Sequence, residues 1–271
     1  MQVYCIISDE RAYRVKSTAV FSTVLRRMGI KGTYVPFKVA PDHLGQALQS
    51  LRILNIAGAN ITVPYKEMVI PYLDILSEGA NIIGAINTIV AVDGKLKGYN
   101  TNAIGFMDAL SYVGFDAENK SALVFGTGGA ARAVVFILNW LRTKTIFLTG
   151  RDEGKTHKMV QQFGGECKSL SSLEGQTLPV DIIVNATSVS SPEESPEMAS
   201  LIGSLTAPNC EVMVDLNYDR PKNFWREAAE NHGIRFLDGL MPLAYQARRT
   251  FALWTGLQVP PEEFISAIEG G

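Results

Sequence analysis

An apolar tripeptide, Leu123-Val124-Phe125, runs straight into Gly126-Thr127-Gly128-Gly129-Ala130-Ala131, with a helix-forming segment behind it. A strand that feeds a glycine-rich turn and then a helix opens a βαβ unit, and such units build parallel sheets covered by helices. Gly126 permits a tight turn after the strand. Gly128 lets backbone approach a pyrophosphate, and Ala131 is small enough for close helix–strand contact. The helix N-terminus would turn free N–H groups toward the phosphates. Gly126, Thr127, Gly128, Gly129, Ala130 and Ala131 are therefore candidate cofactor-binding residues.

The same alternation of short apolar runs with helical periods continues through the chain. It predicts strands over 3–7, 33–39, 58–63, 121–125, 145–148, 180–184 and 212–216. It predicts helices over 17–28, 43–54, 130–141 and 241–255, and a loop over 188–196. Asp93-Gly94 joins runs at 85–92 and 95–99 as a hairpin. The expected architecture is parallel α/β, and Pro64 is placed to open a helix after the third strand.

A net charge of −2 leaves no electrostatic footprint for nucleic acid. The three cysteines, Cys5, Cys167 and Cys210, lie far apart, and so do the three histidines. Neither set has metal-ligand spacing, so no metal is expected, and cysteine usage points to a reducing cytoplasm. The N-terminus lacks the basic and long apolar regions of a signal peptide. The longest apolar stretch, 133–141, is interrupted by Asn139 and too short to span a bilayer, so no membrane partner is expected.

The second strand of the glycine-loop unit ends at Thr149-Gly150-Arg151-Asp152-Glu153. An NAD site would usually place an acid there for the ribose hydroxyl. The first charged group here is Arg151, whose guanidinium suits the 2′-phosphate of NADP, so NADP is expected rather than NAD. Earlier in the chain, Asn60 and Thr62 share one strand face, and Lys66 follows two residues after Pro64. In the first turn of a helix a lysine opposes the helix dipole, which hints at a functional reason for it.

Asn60-Ile61-Thr62-Val63-Pro64-Tyr65-Lys66, Gly84-Ala85-Ile86-Asn87-Thr88 and Gly98-Tyr99-Asn100-Thr101-Asn102 together resemble the substrate site of shikimate dehydrogenases. The resemblance covers nearly the whole chain. It implies Lys66 and the residue at 102 as the catalytic pair. It implies Ser17, Lys16, Asn60, Thr62, Asn87, Thr101, Tyr218 and Gln246 as substrate contacts. Asn185-Ala186-Thr187-Ser188 matches the loop near the nicotinamide, so Asn185, Thr187 and Ser188 join Arg151 and Gly239 on the cofactor side. It further implies an α/β protein with a substrate domain over 1–103 and a Rossmann-type doubly wound domain over 104–238. Helices over 239–271 would return to the substrate domain.

The chain departs from the family pattern at several points. Asn102 stands where the family has an aspartate, and an amide cannot carry negative charge or accept a proton. The family's Ser-x-Ser-Pro is here Val15-Lys16-Ser17-Thr18, with Arg14 before it. Its Asn-Ala-Thr-Ser-x-Gly-Met fades into Val189-Ser190-Ser191. The implied ligand is a carboxylated cyclic hydroxy acid, bound by a monomer or homodimer. The implied reaction is reversible NADP-dependent reduction of 3-dehydroshikimate to shikimate or a close analogue, impaired at Asn102. Two other readings stay open: a paralogue acting on a different anionic hydroxy compound gripped by Arg14 and Lys16, and a binding protein without turnover.

Overall fold

β-branched and aromatic runs form the strands of this protein, and the segments of helical period between them form the covering helices. The computed structural model describes residues 1–270, which divide into Met1–Gly105 with 243–270, and Phe106–Pro242. No helix among the described residues is long and apolar enough to cross a membrane.

The first unit runs β1 (Gln2–Ser8), α1 (Ser17–Arg27), β2 (Gly32–Lys38), α2 (Leu44–Ile53), β3 (Gly58–Ile61), β4 (Ile75–Leu76), α3 (Glu78–Ile83), β5 (Thr88–Val92) and β6 (Lys95–Tyr99). Helix α4 (Thr101–Tyr112) then carries the chain toward the second unit. The sheet order is β2-β1-β3-β5-β6-β4. β1 pairs parallel with β2 and β3, whereas β5 is antiparallel to both β3 and β6. The sheet is thus mixed, and its antiparallel part includes the hairpin expected around Asp93-Gly94. The cause is local: Asp93 and Gly94 take φ of 50° and 73°, the two-residue turn that folds a hairpin back on itself. Register places Asn60 opposite Thr88, and Thr88 opposite Tyr99. One end of the central strands therefore collects Asn60, Asn87 and Asn100.

One expectation falls. Pro64 does not open a helix: residues 63–69 form turns, with a cis peptide between Val63 and Pro64. The Lys66 carbonyl accepts from the Ile86 N–H at 2.7 Å, while the Ile70 N–H goes to Glu67. The i→i+4 bond a helix needs at the Lys66 carbonyl is thus spent on the loop that leads into β5. The helix-dipole argument for Lys66 goes with it.

The second unit runs β7 (Ser121–Phe125), α5 (Gly129–Trp140), β8 (Thr145–Thr149), α6 (Glu153–Phe163), β9 (Glu166–Cys167), β10 (Ile182–Asn185), α7 (Pro196–Ser204), β11 (Val212–Asp215), α8 (Phe224–Asn231) and β12 (Arg235–Leu237). Every pairing in its sheet is parallel, in the order β12-β11-β10-β7-β8-β9. This is the doubly wound dinucleotide-binding order, with its switch point between β7 and β10. The chain ends with α9 (Leu240–Thr255) and α10 (Pro261–Glu269), most of which belongs to the first unit. There Trp254 stacks on Tyr4 at 4.7 Å and donates its indole N–H to the Ile89 carbonyl at 3.0 Å.

A glycine inside α4 has a packing reason. A Cβ on Gly105 would lie 2.7 Å from the Gln246 backbone nitrogen and 2.9 Å from its Cα. Helix propensity alone makes Gly→Ala stabilising by about 1 kcal/mol. Here the obstacle is backbone, which cannot rotate away. Gly105→Ala should therefore destabilise the protein by about 1–3 kcal/mol, read as a lower urea midpoint. A raised midpoint would show that α9 is not held this close.

Candidate active site

Asn87 sits where β5 begins and is only 4 % exposed. Its Oδ1 accepts the backbone N–H of Thr101 at 2.7 Å. Its Nδ2 reaches Thr101 Oγ1 at 2.8 Å, Asn102 Oδ1 at 3.0 Å and Gln246 Oε1 at 3.1 Å. Five predicted residues therefore meet around one amide: Asn60, Asn87, Thr101, Asn102 and Gln246. Asn60 joins through its Nδ2, which donates to the Asn87 carbonyl at 3.1 Å and to Thr88 Oγ1 at 3.3 Å. Its Oδ1 accepts from the Tyr34 hydroxyl at 2.9 Å. Both amide hydrogens of Asn60 are thus committed inside the protein, and it braces β3 against β5, keeping only oxygen lone-pair capacity for a ligand.

The sequence reading missed Tyr34, Thr88 and Thr250. Thr250 Oγ1 lies 2.9 Å from both Thr88 and Thr101 hydroxyls. Its spacing of four from Gln246 on one helix face was the available signal. Burial pushes the Tyr34 phenol well above its ordinary range, so it stays a neutral donor. Ser17 is buried at the start of α1.

Lys66 is half-buried in its turn. The turn is tied on both sides. The Ser8 hydroxyl donates to the Val63 carbonyl at 2.6 Å, and Ile86, next to Asn87, donates to the Lys66 carbonyl. Burial pushes the Lys66 ammonium down to about 8, and no charged neighbour contributes. Thr62 is half-buried beside this turn, its N–H bonded to the Ile7 carbonyl at 3.3 Å. Lys16 is directed elsewhere: its ammonium donates to the Ile268 carbonyl near the end of α10 at 3.4 Å, where a cation suits the helix dipole.

The glycine loop lies in the second unit, at the C-terminal end of β7. Gly126 has φ +117°, and a Cβ there would approach the Ala186 carbonyl oxygen to 2.8 Å. Gly128 caps α5 without any side-chain bond, and nothing stands within 4 Å of where its Cβ would be. Open space in front of uncapped helix N–H groups is what a pyrophosphate requires, so these residues fit a dinucleotide. Thr127, Gly129 and Ala130 are half-buried around that opening, and Ala131 is fully buried against the sheet. Arg151 is exposed, and among the described residues no carboxylate lies within ion-pair distance of it. The neighbouring acid is engaged: Asp152 caps α6 by accepting from the Lys155 N–H at 3.0 Å.

Asn185 is fully buried and bonded inward. Its Nδ2 donates to Asp215 Oδ1 at 2.8 Å and to the Val189 carbonyl at 2.9 Å, and its Oδ1 accepts from the Thr187 N–H and hydroxyl. Asn185 and Thr187 therefore shape the loop, while Ser188 at its tip is exposed. Asp215 also binds Asn217 and Asn223, both missed from sequence. Tyr218 is half-buried just beyond β11. Gly239 is buried where a Cβ would overlap the Leu216 carbonyl, which explains its glycine by packing.

Comparison with known proteins supplies the context. Residues 10–89 match the family model "Shikimate dehydrogenase substrate binding domain", and residues 109–238 match "Shikimate / quinate 5-dehydrogenase". A shikimate dehydrogenase (NADP(+)) of Desulforamulus reducens is 36% identical over 253 residues, spanning 90% of this chain and 87% of that protein. The crystal structure of shikimate dehydrogenase from Aquifex aeolicus superposes with a TM-score of 0.89 at 32% identity, covering 99% of this chain and 97% of that one. Shikimate 5-dehydrogenase from Thermus thermophilus, in complex with NADP(H) and shikimate, gives 0.88 at 31% identity over 100% and 99%.

The lowered Lys66 value has a thermodynamic sign. The folded protein gives up this proton near pH 8, and the unfolded chain near its ordinary value of 10.5. The unfolded state binds more protons between those values, so this group's penalty is full below pH 8 and fades as pH rises. Lys66→Met should therefore be more stable than wild type at pH 7, with the difference shrinking by pH 10. Urea denaturation of both proteins at the two pH values checks this. A difference that does not change with pH would show that Lys66 keeps its ordinary ionisation.

Proposed function

This chain belongs to the shikimate dehydrogenase family, and from that membership and the site geometry we propose that it is an NADP-dependent oxidoreductase interconverting 3-dehydroshikimate and shikimate or a close analogue. The observation that carries the reading is Lys66, half-buried and with no ion-pair partner among the described residues, whose backbone is bonded to the residue beside the Asn87 cluster. A cluster of amides and hydroxyls suits the hydroxyls of a carboxylated cyclic hydroxy acid. The first unit is the substrate-binding domain, the second the nucleotide-binding domain, and the setting is the cytoplasm.

NADP(H) would be held by the backbone of Gly126–Ala131, with Arg151 toward the 2′-phosphate and the 186–188 loop nearby. When bound, it supplies or takes the hydride. Lys66 gives its proton to the substrate oxygen during reduction and takes it back during oxidation. A pKa near 8 leaves the amine able to do both near neutral pH. Asn102 adds no charge, so Lys66 acts without the anionic partner the family pattern provides. Ser17, Thr62, Asn87, Thr101 and Gln246 orient the ring. Lys16 contributes to the α10 terminus rather than to a relocated anion site, so nothing favours a differently gripped substrate.

Two measurements test the reading. Arg151→Ala should weaken NADP by roughly tenfold or more while leaving NAD nearly unchanged, the effect of losing one charge-assisted contact. Fluorescence titration with both cofactors reads this, and equal losses would remove Arg151 from the phosphate site.

Asn102→Asp should raise kcat for shikimate oxidation by on the order of 10²-fold, the usual worth of one positioned acid–base group. The two side chains are almost the same size, so packing is not disturbed. Steady-state rates with shikimate, quinate and NADP decide it. A flat result with both acids would mean that position 102 does not limit the chemistry.

A further inference from the structure

The orientation of the Asn102 amide is fixed by a chain of bonds that starts at the backbone. The Thr101 N–H can only donate, so the atom of Asn87 it meets at 2.7 Å must be the oxygen. The other end of Asn87 is then an NH₂ group, which can only donate. The three atoms around it are oxygens, Thr101 Oγ1, Asn102 Oδ1 and Gln246 Oε1, and its two hydrogens are shared among these acceptors. A flipped Asn102 would set two donors against each other at 3.0 Å. The Thr101 hydroxyl, having accepted from Asn87, also stands 3.2 Å from Gln246 Oε1 and can donate to it. The NH₂ groups of Asn102 and Gln246 are therefore turned away from Asn87. Among the described residues neither has an acceptor in the protein, and neither is sealed from solvent.

We infer that Asn102 and Gln246 are specificity-determining donors, which Asn87 holds with their nitrogens outward, so that the site prefers the carbonyl oxygen of a cyclic keto acid over the hydroxyl of its reduced partner. The inference rests on the proposed substrate class and deepens it. A carbonyl oxygen offers two lone pairs and no hydrogen, so it suits two outward-turned amide NH₂ groups. A hydroxyl brings a hydrogen as well, and neither outward-turned NH₂ group can accept it. A carboxylate at position 102 would accept that hydrogen while still taking the bond from Asn87 Nδ2. The chemical difference between Asp and Asn here is thus a reversal of hydrogen-bond polarity, in addition to the lost charge.

Calorimetric titration of the cofactor-free protein with 3-dehydroshikimate and with shikimate tests this. Wild type should bind the keto acid about tenfold or more tightly than the hydroxy acid, the order of penalty for a hydroxyl hydrogen that neither amide can accept. In Asn102→Asp that ratio should collapse or invert. A ratio that is the same in both proteins overturns the inference and leaves the proposed function standing. Failure of wild type to bind either acid overturns the proposed substrate, and the inference with it. Neutron diffraction from deuterated wild-type crystals gives an answer that does not depend on the variant's folding. Deuterons on the Asn102 atom nearest Asn87 would refute the orientation.

Discussion

One buried bond organises the first unit: the Thr101 N–H, at the start of α4, donating to Asn87 Oδ1 at 2.7 Å. A backbone amide has no choice of role, so this contact settles which end of Asn87 donates. The identity of every neighbouring polar atom follows, from Asn102 and Gln246 outward. Asn60 ties the same strand end to Tyr34 on β2. Buried polar groups of this kind are costly when unpaired and specific when fully paired. The close approach of α9 to Gly105 is what brings Gln246 and Thr250 within reach.

The second unit uses a different device for a similar end. Asp215, fully buried at the end of β11, accepts from Asn185, Asn217 and Asn223 and so fixes the loop after β10. That loop and the glycine turn after β7 stand at the switch point of the sheet, where strand order reverses and a crevice opens. The residues with the strongest family resemblance there, Asn185 and Thr187, are spent on holding backbone. Ser188 and Arg151 are the exposed side chains among the predicted residues of this unit.

Much of this was legible before any coordinates. The strand at Ser121–Phe125, the glycine turn and α5 follow the sequence pattern closely, and the Asp93-Gly94 hairpin needed only two residues with positive φ. Asn60, Asn87, Thr101, Asn102 and Gln246 were all picked out and all meet. Lys16 was picked out for its charge, but its ammonium goes to the carbonyl end of α10, 252 positions away. Tyr34 went unnoticed because nothing local marks a tyrosine as part of a buried network.

The sequence by itself determined the elements, the dinucleotide turn and the polar residue types of the site, because those depend on neighbours a few positions apart. Only the tertiary structure decided how the polar atoms are aimed. Lys66 stands in a turn instead of a helix because Ile86, in the loop before β5, claims its carbonyl. Asn60 is a brace because Tyr34, Asn87 and Thr88 occupy its amide. The Asn102 amide faces outward because Asn87, itself set by Thr101, leaves it one role. An amide side chain has two nearly isosteric ends, so its sequence position gives no orientation, and only the donors and acceptors packed around it can choose.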